Sequence, residues 1–313
     1  MESAAREFLF RLLKTPSPSG YEQPIQALVR EYLERCADTV TTDSHGNVIG
    51  AKNASAPTRM LLAGHCDQIG LIVQYIDADG FISVQPIGGW DPIQLVGARV
   101  TIWTKNGPVT GVMSRKPIHL LTEEERKQVP KMKDLWIDIG AENKADCESV
   151  VRVGDPITLE LEVRQLRRDL CCSVAMDDKV GLWVVLEAFR RAVAAGPLPC
   201  GLFVASTVQE EIGLRGAQTS CHGVDPHVVD RLLAASQAKE IPIQLAASGR
   251  ATPTDANALQ VTRSGVATGL VSVPNRYMHS AVEMVSLEDA DRTADLLAAF
   301  CRGLEGEIDW APV

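Results

Sequence analysis

The sequence predicts an α/β protein: a mixed sheet flanked by helices, with a β-rich domain inserted into it. Three observations carry that prediction. The apolar run GLFVAS at 201–206 reads as a buried strand, and it delivers Glu210 and Glu211 into a glycine turn at Gly213. Helical and strand-like patterns alternate through residues 1–68 and again through 167–313. Between them, 69–166 holds short β-rich runs separated by turns, with only one charged helical piece at 122–128. The expected organisation is therefore an α/β domain in two parts, 1–68 and 167–313, around a β-rich domain at 69–166.

Taken in order, residues 4–13 carry apolar side chains at helical spacing and stop at the turn-rich TPSPSG. A second amphipathic helix is expected over 23–36, then a hairpin over 39–51 around His45-Gly46-Asn47. The short apolar run 60–63 reads as a strand ending in Gly64-His65-Cys66-Asp67. In the insertion, strands are expected at 71–76, 81–86, 99–104, 135–139 and 157–163. After it, 182–194 is apolar enough for a buried helix. The strand at 201–206 follows, then a short helix at 214–220. Asp225-Pro226 reads as the cap and first residue of a further helix to about 239. Strands at 243–247 and 268–273, a loop at 254–257, and a last helix over 286–304 with Ser286 and Asp289 at its cap complete the chain.

A chain of 313 residues with 45% hydrophobic content can bury a large core. No apolar stretch reaches membrane-spanning length and the opening Met1-Glu2-Ser3 lacks the pattern of a signal peptide, so a soluble, cytoplasmic protein is expected. The 8 cysteines show no zinc-type CxxC spacing and read as reduced thiols. A net charge of -9 argues against nucleic acid or an anionic membrane as partner.

Open α/β sheets keep their chemistry at the carboxyl ends of strands. Four predicted ends carry groups able to hold a divalent metal: His65 with Asp67, Asp177 with Asp178, Glu210 with Glu211, and His279. Taken singly, each has a structural explanation: a hydrogen-bonded imidazole, helix caps, a solvated strand end or a loop histidine. Together they favour a site, and a His and carboxylate set without thiolates suits zinc, cobalt or manganese in an open, catalytic position. Neighbouring strand residues point opposite ways, so Glu210 and Glu211 can serve different roles. For the same reason they are poor candidates for the paired carboxylates of a glycoside hydrolase.

The strings GHCDQIGLIV, GGWDP, VMSRKPIHLL, AMDDKVG, TVQEEIGLRGA, ATPTDANA and SVPNRYMHSAVEMVS, in that order, resemble the co-catalytic metallo-aminopeptidases of the tetrahedral (TET) type. These include deblocking and glutamyl aminopeptidases, some of them labelled endoglucanases. The resemblance implies a zinc-peptidase-like α/β domain interrupted by a β-barrel that mediates dimerisation, hydrolysis of N-terminal residues from short peptides, two divalent metal ions, and dimers assembled into a homo-oligomeric dodecamer. It implies that His65 binds one metal, Asp177 bridges both, and Glu211 and His279 complete the other. Asp67 would orient His65, and Glu210 would take a proton from the attacking water and return it to the leaving amine.

The chain departs from that pattern after GLRGA. Family members have there a further strand ending in an aspartate that binds the metal held by His65. Here QTSCHGV runs almost directly into DPHVVD, so two helices follow each other with no strand between. One expectation is that Cys221, His222, Asp225, His227 or Asp230 replaces the lost ligand. Another is a metal-deficient, inactive member that serves as an assembly or peptide-binding subunit. Another co-catalytic zinc hydrolase, an amidohydrolase or a carboxypeptidase, uses similar ligands, and GGWDP and PNRYMH tilt the choice toward the aminopeptidase.

Overall fold

The computed structural model describes residues 1–217, 226–246, 252–261, 266–306 and 308. Two N-terminal helices, α1 (Ser3–Lys14) and α2 (Gln23–Leu33), turn Leu9, Leu12, Leu13, Ile25, Val29 and Leu33 into the core. Four strands form the main sheet: β1 (Thr39–Thr42), β2 (Val48–Lys52), β3 (Arg59–His65) and β12 (Gly201–Thr207), in the order β1-β2-β12-β3. The expected hairpin is β1 with β2. The central strand β12 is parallel to β3, with Thr207 opposite His65, and antiparallel to β2. It is thus parallel on one side only, in a mixed sheet.

Helix α5 (Met176–Ala194) packs on this sheet through Leu182, Trp183, Leu186 and Phe189. The approach is close: a side chain at Gly64 would place its Cβ 2.9 Å from the Leu182 amide nitrogen. Helix α8 (Leu287–Arg302) lies against α5, and Ser286 caps it by accepting from the Asp289 amide at 3.0 Å, as its sequence implies. A fully buried glutamate, Glu187, ties these helices to α2. It accepts from Arg190 at 2.9 and 3.0 Å, from Arg191 at 3.1 Å and from the Tyr32 hydroxyl.

The insertion is a closed barrel. Strands β4 (Gly70–Ile76), β5 (Ile82–Ile87), β6 (Arg99–Thr104), β7 (Gly107–Arg115), β8 (Leu135–Asp138) and β9 (Pro156–Leu159) close in the order β4-β5-β8-β7-β6-β9. Their inward residues, among them Val73, Ile82, Val100, Ile102, Met113 and Ile137, form a second core. Strand β7 escaped the sequence reading because it opens with Gly107-Pro108 and alternates with polar residues. The charged piece is the one-turn helix α3 (Glu123–Arg126), capped by Thr122. A second short helix, α4 (Lys144–Val150), capped by Asn143, was not expected.

A small antiparallel sheet follows the barrel: β10 (Arg164–Gln165), β11 (Leu170–Ser173) and β13 (Glu283–Ser286). Helix α6 (Pro226–Ala238) begins where Asp225-Pro226 predicted, although Asp225 itself lies outside the described residues. Residues 211–216 form turns rather than the start of a helix, and 218–220 are likewise outside the described residues.

Two expectations are corrected. The described parts of 243–247 and 268–273 carry no regular secondary structure and belong to no sheet, and helix α7 (Asp255–Leu259) begins within the predicted loop at 254–257. A strand forms only where another edge takes up its amides and carbonyls. Here Val271 and Val273 still pack on the α/β core, so the segment keeps its burial without a ladder. Among the described residues, β3 is the edge of the sheet on that side. A cavity of about 1970 Å³ runs along this edge, lined by Met60 and Leu62 of β3, Val184 of α5, and Val271 and Val273. No described helix is long and apolar enough to cross a membrane.

Candidate active site

The cavity's polar end lies where the parallel strands β3 and β12 finish. His65 is the last residue of β3 and is 8% exposed. Its Nδ1 lies 3.1 Å from the Asp67 carbonyl oxygen, so Nδ1 carries a proton and Nε2 is the nitrogen that faces Asp177 and Glu210. From Nε2 it is 3.4 Å to Asp177 Oδ1 and 3.9 Å to Glu210 Oε2.

The turn carrying Glu210 and Glu211 is held by side chains from the N-terminal part of the chain. Four successive amides are each taken by an oxygen. Asn47 Oδ1 accepts from Val208 at 3.0 Å and Glu22 Oε1 from Gln209 at 3.2 Å. The Asp67 carboxylate accepts from Glu210 at 3.0 Å and from Glu211 at 3.1 Å. Asp67 has no exposed surface, and the Ser19 hydroxyl also donates to it at 2.6 Å. Gln209 needs this support, since its φ of 57° is one that a non-glycine residue adopts at a cost.

Glu283 on β13 holds the opposite wall. Its two oxygens accept from the backbone amides of Asp177 and His279, each at 2.8 Å. His279, with a φ of 58°, is another left-handed residue. The Asp177 carboxylate consequently sits between two imidazoles: Oδ1 is 3.4 Å from His65 Nε2, and Oδ2 is 3.4 Å from His279 Nε2. Glu211 Oε2 also lies 3.4 Å from His279 Nε2, while Glu211 Oε1 is buried with no hydrogen-bond partner. Asp178, joined to Asp177 by a cis peptide bond, turns the other way and caps α5 by accepting from Gly181 at 3.1 Å.

These separations fit a metal better than they fit hydrogen bonds. A good N–H···O bond is 2.7–3.2 Å long, whereas two ligand atoms about 2.0–2.1 Å from a tetrahedral zinc ion stand roughly 3.3–3.4 Å apart. Donor atoms of Asp177, Glu211 and His279 all lie within 4.8 Å of one another, so the three can hold a metal ion. The orphaned Glu211 oxygen supplies a further lone pair directed into protein rather than solvent.

The electrostatics follow from the same contacts. Burial pushes the Glu210 carboxyl up to about 8, against the pull of His65 and with the help of Asp255 and Glu211. Burial alone would lower His65, but Asp177 and Asp67 outweigh it and hold the imidazole well above its usual range. Asp177 and then Glu211 raise His279 to about 10. Burial opposes the Asp177 anion, yet His279 and His65 hold its carboxyl well below the usual range.

The barrel reaches this site through GGWDP. A Cβ on Gly89 would stand 3.2 Å from His279 Nδ1, and one on Gly88 would meet Ile69 Cγ2 at 2.5 Å and Glu211 Oε2 at 3.3 Å. Trp90 anchors the loop by donating to the Gly70 carbonyl at 2.9 Å.

All six residues singled out in the sequence therefore converge. His65, Asp177, Glu210, Glu211 and His279 line the cavity, and Asp67 lies directly beneath the turn. Sequence reasoning missed Glu22, Asn47 and Glu283, which accept from backbone amides, and Ser19, which donates to the Asp67 carboxylate. It also missed Asp255, which lines the same cavity. Only Glu283 and Asp255 gave a signal, by lying within the SVPNRYMHSAVEMVS and ATPTDANA strings.

Histidine and carboxylate donors at the ends of two neighbouring parallel strands, beside an inserted barrel, define a hydrolase of the α/β peptidase class. Comparison with known proteins makes this specific. The chain belongs to the M42 glutamyl aminopeptidase family, whose model matches residues 46–229 and 220–296, two ranges that overlap at 220–229. It is 33% identical to the lysyl aminopeptidase of Pyrococcus furiosus, over 98% of this chain and 99% of that one. That alignment of 348 positions is longer than the 313 residues present here, so it opens gaps in this chain. Among solved structures, the TET aminopeptidase of the marine sediment archaeon Thaumarchaeota archaeon SCGC AB-539-E09 superposes with a TM-score of 0.90. It is 30% identical, over 97% of this chain and 98% of that one. An aminopeptidase from Desulfurococcus kamchatkensis gives 0.88 at 31% identity, over 96% and 95%.

Proposed function

We propose that the chain is a metal-dependent aminopeptidase that removes N-terminal residues from short peptides. The observation that carries this reading is the Asp177 carboxylate, with one oxygen 3.4 Å from each of two histidines and Glu211 completing the group. In the proposed assignment His65 binds one metal ion, Asp177 bridges, and Glu211 and His279 complete the second position. Zinc, cobalt and manganese all suit such donors. A divalent ion there supplies Lewis-acid polarisation of the scissile carbonyl and a more acidic water.

The chain's own residues supply the rest. Glu210, on the His65 side of the cavity, can accept a proton from the attacking water and deliver it to the departing amine once a bound cation offsets the burial that otherwise raises its carboxyl. Asp67 fixes where that carboxylate stands by holding its amide. Glu283 does the same for Asp177 and His279 on the other wall.

Assembly into a homo-oligomer through the barrel is part of the proposal. The barrel region exposes Tyr75, Ile93, Ile118, Leu120 and Val153, an apolar set suited to a partner copy. The TET names of solved relatives support the same reading.

The test is release of the first residue from free and N-acetylated peptides, followed by mass spectrometry with added zinc, cobalt or manganese. Release from free peptides alone, stopped by a chelator and by Glu210→Gln, is expected. No release under any metal would remove the enzyme reading and leave an assembly or peptide-binding subunit.

A further inference from the structure

Resting on the metal assignment above, the His65 position is one donor short. His65 Nε2 faces Asp177 Oδ1 at the separation of a ligand pair, but the next oxygen, Glu210 Oε2, stands at 3.9 Å and belongs to the proposed general base. Two protein ligands hold a metal weakly, and catalytic zinc sites use three.

We propose that Asp255 is the third protein ligand at the His65 metal position. Three independent observations point to it. Thr207, the register partner of His65 in the parallel ladder, donates its hydroxyl to Asp255 Oδ2 at 2.6 Å, which places the carboxylate beside the end of β3. The other oxygen, Oδ1, is buried and has no hydrogen-bond partner. Asp255 also lines the same cavity as His65, Asp177 and Glu210.

A buried carboxylate oxygen without a donor is costly, and here no described donor answers it. Asp255 is not part of the compact group of Asp177, Glu211 and His279, and its charge acts on His65. The charge around the site agrees: Asp177, Glu210, Glu211 and Asp255 line the cavity beside His65 and His279, and a second cation balances them. Of helix α6, Val228 and Leu232 line the cavity, whereas His227 and Asp230 do not. Cys221, His222 and Asp225 lie outside the described residues.

Position explains why this residue was free for the role. Asp255 opens a five-residue helix after Thr254, anchored by the buried Ala256 and Leu259, so its backbone is fixed independently of the segment after Gly216. A ligand can thus come from the far side of the cavity although the sheet ends at β3.

The experiment is zinc stoichiometry and affinity on purified protein, by elemental analysis after dialysis and by competition with a chromophoric chelator. Wild type, Asp255→Asn and His279→Ala are compared, and the cobalt(II) absorption spectrum serves as a second readout. Asparagine keeps the acceptor for Thr207, so the fold is retained, and circular dichroism checks it. Two zinc ions per chain in wild type and one in Asp255→Asn are expected, with loss at the affected position exceeding the ~10–100-fold that removal of an outer partner causes. The cobalt spectrum should lose the contribution of one centre. Two tightly held ions in Asp255→Asn, or a loss within that smaller range, overturns the ligand role. A wild type with one ion that Asp255→Asn leaves unchanged also overturns it. If His279→Ala displaces no ion, the metal assignment itself fails.

Discussion

Replacing Asp67 by asparagine separates the scaffold of the site from its chemistry. The Asp67 carboxylate accepts from the amides of Glu210 and Glu211 and from the Ser19 hydroxyl, and it has no exposed surface. An asparagine keeps one acceptor oxygen. Its best placement puts that oxygen where Oδ2 serves Glu211 and Ser19, which leaves an NH2 group facing the Glu210 amide. Loss of a charge-assisted bond is worth about 1.5–3 kcal/mol, and an unanswered buried donor about 1–3 kcal/mol more, so Asp67→Asn should cost about 3 kcal/mol or somewhat above. His65 and the donated hydrogen bonds overcome burial and hold the Asp67 carboxyl below the ordinary aspartate value of 3.8. Its contribution is therefore present above 3.8 and lost as pH falls through the lower, folded-state value. Guanidinium unfolding followed by tryptophan fluorescence should show the deficit at pH 7 and a smaller one near pH 3. Turnover should fall about 100-fold with KM little changed, because Glu210 is displaced rather than removed. A deficit below about 1 kcal/mol at pH 7, or one that is the same at both pH values, would refute the reasoning.

Two other substitutions probe the barrel loop and the helix core. Gly88→Ala adds a Cβ at a φ of 73° and against Ile69, and should lower stability by about 2 kcal/mol, whereas Gly89→Ala meets only His279 and should leave stability nearly unchanged while weakening metal retention, both read by denaturant titration and elemental analysis. Glu187→Gln should cost about 2–3 kcal/mol at pH 7 because Glu187 is buried beneath Arg190, Arg191 and Tyr32. Burial opposes the Glu187 anion, but Arg190 and Tyr32 hold its carboxyl below the ordinary 4.5, so the difference from wild type should close as pH falls through that lower value.

The parts legible in the sequence were those whose signal is local. Residues 201–206 are apolar without interruption, and β12 is the buried centre of the sheet. The hairpin of β1 and β2, the cap at Ser286, and helix α5 followed equally from short-range pattern. The six proposed site residues drew attention because strand ends are where such donors gather, and the fold brings them together. Residues that hold the turn were not legible: Asn47 and Glu22 bind backbone amides more than 140 positions away, and nothing near them in sequence marks the partner. The two strands wrongly expected at 243–247 and 268–273 failed for a related reason. Apolar content can mark a segment for burial, but whether it joins a sheet depends on an edge supplied by another part of the chain. Asp255 was read as a loop residue because its environment is set by Thr207, 48 positions earlier.

The most direct test of the proposed metal site is anomalous diffraction at the zinc absorption edge from crystals grown with zinc. The account predicts a peak bounded by Asp177, Glu211 and His279, on the cavity side of the Asp177 carboxylate. Zinc found only elsewhere, with those three side chains left in the ion-paired arrangement described here, would contradict it.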